Sequence, residues 1–223
     1  DELAAAAWGI FQDIEKNGGI VAALQSGDLA ARLAASQQAR ADLIGKRRLG
    51  ITGVTEFPNL DDRAPDVLDI QIPAGWAPPV AAAGTDQLTS CTPLKQTRDA
   101  EPYEVMRDST EAHDGGGSVF LATLGKLPDF TARAMWTRNL FAVAGLKTTE
   151  PVNFSNAADV AAAFKGSGLK LACLCSSDAI YANMAVDAAG ALKQAGALQL
   201  YLAGDPPDLR DALKSAGVDD TLK

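Results

Sequence analysis

What most constrains this chain is the alternation of short apolar runs and helical stretches that begins at Val119 and continues to the C-terminus. Val119–Leu124 reads as a strand. It ends in a turn with a single glycine, Gly125, and a helix follows from Pro128 to Ala144. A weaker strand lies between Leu146 and Phe154, then a helix over 156–165 with Asn156 as its cap. Strand Leu169–Cys175, helix Asp178–Ala195, strand Leu198–Ala203 and helix Pro207–Ser215 complete the pattern, and a fifth strand is expected to be starting at Lys223. LKLACLC and LQLYLAG are apolar at most positions rather than alternating, which suits parallel strands covered on both faces. Gly145, Gly168, Gly196 and Gly217 stand where helix C-terminal caps belong. The pattern predicts a doubly wound α/β sheet, whose ligands usually sit beyond the carboxyl ends of the strands. The turn after the first strand offers such a ligand one Gly, no phosphate-cradling loop and no His.

The upstream half reads differently. Asp1–Arg48 is helical: Leu3, Trp8, Ile10, Phe11 and Ile14 form a stripe that stops at Asn17-Gly18-Gly19. Ile20–Leu24 forms a short helix closed by Ser26-Gly27, and a longer one follows with Asp28 as N-cap. These helices carry apolar faces with no partner layer, and such faces must be buried against something. With no initial Met and an opening that already reads as helix interior, they are expected to be part of a larger body. From Leu49 to Ser118 the chain reads as largely irregular. It has a strand-like ITGVTEF, then Pro65, Pro73, Pro78-Pro79 and VAAAG, anchored by Phe57, Trp76, Tyr103 and Met106. A stretch this long without regular structure reads as a linker wrapping neighbouring surfaces.

The net charge of −8 argues against nucleic acid as a partner, because phosphate binding needs clustered Lys and Arg. The densest basic group, Lys46-Arg47-Arg48, ends a helix and there complements its dipole. No apolar run approaches the roughly 18 residues of a membrane span, so no membrane partner is expected. Three cysteines make no disulfide framework. Cys173 and Cys175 share a strand face without the CxxC spacing of redox or zinc sites, and read as small buried hydrophobes with no metal. A reducing, cytoplasmic setting fits.

Several segments in one order, AWGIFQDIEKNGGI, GITGVTEFPNL, EPYEVMRDST, VFLATLGKLPDFTARAMWTRNLFAVAGL and LKLACLCSSDAIYA, resemble the small (β) subunits of methylmalonyl-CoA mutase. The resemblance runs from end to end, and GVTEFPNL and PYEVMRD are its specific parts. It implies a C-terminal part of such a chain. Residues 1–56 would be the remnant of a TIM barrel and 57–118 an extended linker. Residues 119–223 would form a degenerate flavodoxin-like domain of the cobalamin-binding type. Catalytic chains of the family hold adenosylcobalamin through an Asp-x-His-x-x-Gly motif after the first strand, the His serving as lower axial cobalt ligand. Here the motif's Asp falls on Leu127, its His on Asp129 and its Gly on Ala132. Imidazole suits such a metal and carboxylate prefers harder ions, while Ala adds a methyl group where a corrin would approach. The resemblance therefore implies no cobalamin, no metal and no catalytic residue on this chain.

The remaining candidates read as structural. Asp129 lies in the first helical turn behind Pro128, where a carboxylate gains about 0.3–1 kcal/mol from the helix dipole. His113, the only histidine, lies in EAHDGGGS with no fixed partner for base chemistry. Ser176-Ser177-Asp178 resembles a helix start with Ser177 or Asp178 as cap; in cobalamin domains the matching turn lies near the cofactor's nucleotide tail. Gly166-Ser167-Gly168 follows a helix and precedes a strand, the wrong order for a dinucleotide fingerprint, and reads as a loop. The expected function is that of a non-catalytic small subunit, forming a heterodimer with a large subunit that binds adenosylcobalamin and interconverts methylmalonyl-CoA and succinyl-CoA. A sister acyl-CoA mutase fits the same residues. The alternative is a stand-alone flavodoxin-like module for a corrinoid or an acyl-CoA. It needs an open pocket at the ends of Val119–Leu124 and Leu169–Cys175, not one filled by Leu127, Pro128 and Phe130.

Overall fold

The computed structural model describes residues 1–61, 68, 91–113 and 117–223. Pro65, Pro73, Trp76, Pro78-Pro79 and VAAAG of the expected linker lie outside the described residues. The chain divides into two compact units. Among the described residues one unit holds Asp1–Leu49, 68 and 91–99, and the other holds 50–61, 100–113 and 117–223.

The first unit contains α1 (Glu2–Lys16), α2 (Gly19–Ser26) and α3 (Asp28–Gly45). Gly27, at φ 79°, both ends α2 and begins α3. This leaves no separate cap, so Asp28 enters the first turn instead and pairs with Arg32 at 2.8 Å. Arg32 also reaches Asp13 of α1 at 2.8 Å, and Arg40 pairs with Asp99. Within these three helices only Ala23 and Ile44 are buried, while Leu3, Trp8, Ile10, Phe11, Ile20 and Val21 are exposed.

The second unit is built on five parallel strands: β1 (Ser118–Thr123), β2 (Lys147–Thr148), β3 (Leu171–Cys175), β4 (Gln199–Ala203) and β5 (Asp220–Leu222). Their order is β2-β1-β3-β4-β5. The last strand is in place by Asp220 rather than starting at Lys223; Tyr201 pairs with Asp220 and Ala203 with Leu222. β1 and β3 pair from Val119↔Leu171 to Thr123↔Cys175. Because side chains alternate across a strand, Val119 and Leu121 face one layer, and Phe120, Ala122 and Leu124 the other. Both layers are dry, which is why these strands read as unbroken apolar runs.

One layer is α5 (Leu127–Val143), which buries Phe130, Ala134, Thr137 and Phe141 at helical spacing over Cys173, Cys175 and Ala203. The opposite layer holds α6 (Ala157–Ser167), α7 (Asp178–Gln194) and α8 (Arg210–Ser215). α7 presents Tyr181, Ala185, Ala188, Ala189 and Leu192, and small residues at these positions let it lie close to the sheet. Asn156 caps α6 as its sequence foretells, its side chain accepting from the Asp159 N–H at 2.9 Å. The four glycines expected at helix ends all take left-handed conformations there.

Four further expectations change. The linker is not irregular throughout: α4 (Glu101–Glu111) forms within it, started by Pro102 with Glu101 and Glu104 in the first turn. The Thr110 hydroxyl donates to the Ala144 carbonyl at 2.7 Å, fixing α4 at the end of α5. ITGVTEF is a turn, not a strand. The Val54, Thr55 and Glu56 N–H groups converge on the Ile51 carbonyl, Gly53 takes φ 81°, and a lone bridge joins Thr52 and Glu56. Gly166 and Ser167 are the last turn of α6, with Gly168 as its cap, rather than a loop. Ser177 occupies the cap position of α7, but its side chain makes no cap hydrogen bond.

Candidate functional site

In an open parallel sheet the ligand crevice opens where the strand order reverses, here between the carboxyl ends of β1 and β3. Leu124 continues β1, its N–H donating to the Cys175 carbonyl at 3.1 Å. Gly125 follows at φ 87° and donates to the Phe154 carbonyl at 2.8 Å, which brings the segment after β2 against the end of β1. Thr123 is fully buried, and its hydroxyl donates to the Val152 carbonyl at 2.5 Å.

The three motif positions lie in the first turns of α5. Leu127 is 60% exposed and Ala132 is exposed, so neither shapes a cavity wall. Asp129 is half-buried and folds back on the turn, its Oδ2 accepting from the Lys126 N–H at 2.8 Å. It lies so close to Gly125 that a Cβ there would stand 2.8 Å from Oδ2. The carboxylate is therefore a helix cap, the N-terminal role its position suggested, and Gly125 is required both by its φ and by this approach. Of the residues that could fill the crevice, Pro128 and Leu127 face solvent, and Phe130 is buried in the α5 layer.

The crevice is closed by other residues. Ser176, fully buried, donates its hydroxyl hydrogen to the Leu124 carbonyl at 2.7 Å, joining the ends of β3 and β1. Its N–H donates to the Tyr181 hydroxyl oxygen at 2.9 Å. The Tyr181 hydroxyl hydrogen lies between the carbonyls of Leu174, 3.0 Å away, and Ala203, 2.8 Å away. Burial pushes the Tyr181 hydroxyl well above an ordinary tyrosine pKa, so it stays protonated and structural.

Above this network lies Arg133 of α5. Its Nη1 donates to the Ser176 carbonyl at 2.5 Å and its Nη2 to Asp178 at 2.7 Å, and its Cζ stands 5.1 Å from the centre of the Tyr181 ring. Partial burial is the largest single influence and works against the charge, but Asp178, by hydrogen bond and by charge, and Tyr181 together outweigh it and raise the Arg133 pKa. Nothing in the sequence marked Arg133, because its partners come from the β3–α7 turn and the end of β4. Asp178, weighed as a helix cap, is instead an ion-pair partner.

His113 lies just past α4, its Nδ1 2.8 Å from the Ser109 carbonyl, and leads into the amino end of β1, opposite the crevice. Cys173 and Cys175 are buried side by side, Sγ to Sγ 4.0 Å, and burial pushes the Cys173 thiol well up. Cys91 is exposed. A cavity of about 700 Å³ lies away from the crevice, between Phe57–Asp61 and the outer face of α5, where Met135, Arg138 and Asn139 line it. A smaller one, about 250 Å³, lies beside β5 against Asp205, Arg210 and Lys223. Among the described residues no helix is long and apolar enough to cross a membrane.

The strand order and two helical layers define a flavodoxin-like α/β domain. The family model for methylmalonyl-CoA mutase matches residues 1–111. The chain is 41% identical over 208 residues to the methylmalonyl-CoA mutase small subunit of Streptomyces virginiae, covering 92% of this chain and 31% of that relative. It is 35% identical over 202 residues to the small subunit of Propionibacterium freudenreichii subsp. shermanii, covering 91% and 29%. The corresponding small subunit of Porphyromonas gingivalis is 28% identical over 215 residues, 95% of this chain and 32% of the relative. The chain belongs to the methylmalonyl-CoA mutase family. It spans about a third of the length of these curated relatives.

Proposed function

We propose that this chain is part of a non-catalytic small subunit of an adenosylcobalamin-dependent methylmalonyl-CoA mutase, and that it works by stabilising a catalytic large subunit in a heterodimer. On this reading residues 1–56 complete a TIM barrel, 57–118 serve as linker along the partner, and the cofactor is held by the large subunit. The small-subunit names of the relatives support the partnership.

The observation that carries the reading is the closed crevice. The residues there do not suit a cobalamin. The position of the axial histidine holds Asp129, whose carboxylate already accepts from the Lys126 N–H. The ground near Ser176, expected to lie by a nucleotide tail, is covered by Arg133. The exposed apolar faces of α1 and α2 support burial against a larger body. The exposed thiol Cys91 suits a reducing, cytoplasmic compartment.

The test is assembly. The chain, co-expressed with a methylmalonyl-CoA mutase large subunit, is expected to elute with it as a one-to-one complex in size-exclusion chromatography with light scattering. Separate elution, together with tight binding of a corrinoid or an acyl-CoA by the lone chain, overturns the proposal in favour of an independent binding module.

A further inference from the structure

We propose that Arg133 is a built-in ligand: its guanidinium occupies the space beyond the carboxyl ends of β3 and β4 and holds those ends together as a bound molecule would. The inference deepens the reading of a domain without cobalamin and rests on it, adding the residue that takes the vacated place.

Four groups from separate parts of the chain converge on one side chain. The Ser176 carbonyl ends β3, Asp178 and Tyr181 belong to α7, and Gly204 ends β4. A Cβ on Gly204 would stand 2.9 Å from Cζ of Arg133, 3.1 Å from Nη2 and 3.2 Å from Nε. With Cζ the nearest of the three, Gly204 lies over the plane of the guanidinium and not at its edge. The edge instead meets the two acceptors, the Ser176 carbonyl and the Asp178 carboxylate.

A planar cation with donors around its rim and bare faces fits this arrangement; an ammonium, a compact point charge, does not. The Tyr181 ring adds a cation–π contact. Gly204, at φ 105°, supplies both the turn and the room. The site is thus shaped for guanidinium, and the chain carries its own on α5, the helix that follows β1. Any ligand entering between Ser176 and Gly204 must first displace it.

A ligand that binds only the folded state raises stability by mass action, so a site emptied by mutation is refilled by its free counterpart. The experiment is thermal melting of the full chain as wild type, Arg133→Ala and Arg133→Lys, each with 20 mM guanidinium chloride or 20 mM ammonium chloride. Arg133→Ala is expected to melt about 5 °C below wild type. Guanidinium should return about 2 °C to it and ammonium nothing, with no gain for wild type. A folded Arg133→Ala protein that gains nothing from guanidinium overturns the proposal. If Arg133→Ala does not fold, Arg133→Lys decides: a melting point well below wild type supports the proposal, and one equal to wild type contradicts it. Failure of the underlying reading shows separately, as retention of hydroxocobalamin by the wild-type chain.

Discussion

The Ser176 hydroxyl donates to the Leu124 carbonyl across 2.7 Å, joining β3 to β1 at the point where the strand order of the sheet reverses. Both residues are fully buried, so the bond is shielded from water. Losing one partner of a buried hydrogen bond costs about 1–3 kcal/mol. Ser176→Ala is therefore expected to lower unfolding free energy by about 1–2 kcal/mol in urea titration, with the m-value unchanged. A loss within error of zero shows that the crevice is not held by this bond.

Tyr181 organises the same place from beneath. Its hydroxyl accepts from the Ser176 N–H and lies against two carbonyls, so Tyr181→Phe removes one oxygen from a network with no exposed member. A cost of about 1–3 kcal/mol is expected. The Ser176 group that donates to Tyr181 is its backbone N–H, which Ser176→Ala keeps, so the losses of the two single variants should add to within about 0.5 kcal/mol in the double variant. A larger departure from the sum would mean that the two side chains are coupled through the turn.

The Arg133–Asp178 pair looks strong by distance but is weak by exposure. Asp178 is 69% exposed, and ion pairs of that kind contribute about 0–1 kcal/mol. The bond from Arg133 to the Ser176 carbonyl is better shielded. Asp178→Ala should accordingly cost less than half of what Arg133→Ala costs in the same chemical denaturation series. Equal losses would place the stabilisation in the ion pair instead.

Acid stability follows from two carboxylates near the carboxyl-terminal edge of the sheet. Lys193, at 2.7 Å, holds Asp219 below its ordinary pKa of 3.8, with help from the Leu200 N–H. Arg210 and Lys223 hold Asp205 low in the same way. A carboxylate with a depressed folded-state pKa contributes its stability above the unfolded pKa and loses it as pH falls through the folded one. The melting temperature should thus be flat above about pH 5 and fall below pH 4, with a shallower fall in Asp219→Asn. Parallel acid limbs in the two proteins would rule out this linkage.

The α/β half was legible because its strands are covered on both faces and its helices end in glycine; apolar runs such as LKLACLC have no other comfortable home. Local signals failed where the competing structure was also local. ITGVTEF alternates like a strand, but the Ile51 carbonyl gathers three N–H groups into a turn. The helix at Glu101–Glu111 had its start signals in Pro102 and Glu104, hidden within a Pro-rich neighbourhood. The motif positions Leu127, Asp129 and Ala132 could be located by register on the strand, and Asp129 does cap its helix. Arg133 could not be found this way: its partners lie 43 and 45 residues downstream, and only the folded sheet brings them to it.

The thiols give an independent check on the closed core. Cys173 and Cys175 lie under α5 and Cys91 is exposed, so one thiol should react promptly with a disulfide reagent in native buffer and all three in denaturant. More than one prompt thiol would mean that α5 and the crevice it covers open readily.

A flavodoxin-like domain whose crevice is filled from within, as proposed, leaves no place for a corrin, and adding one equivalent of hydroxocobalamin followed by desalting tests this. An unaltered corrin spectrum and no colour retained with the protein are expected. Stoichiometric retention with the spectrum of a histidine-ligated cobalt would contradict it.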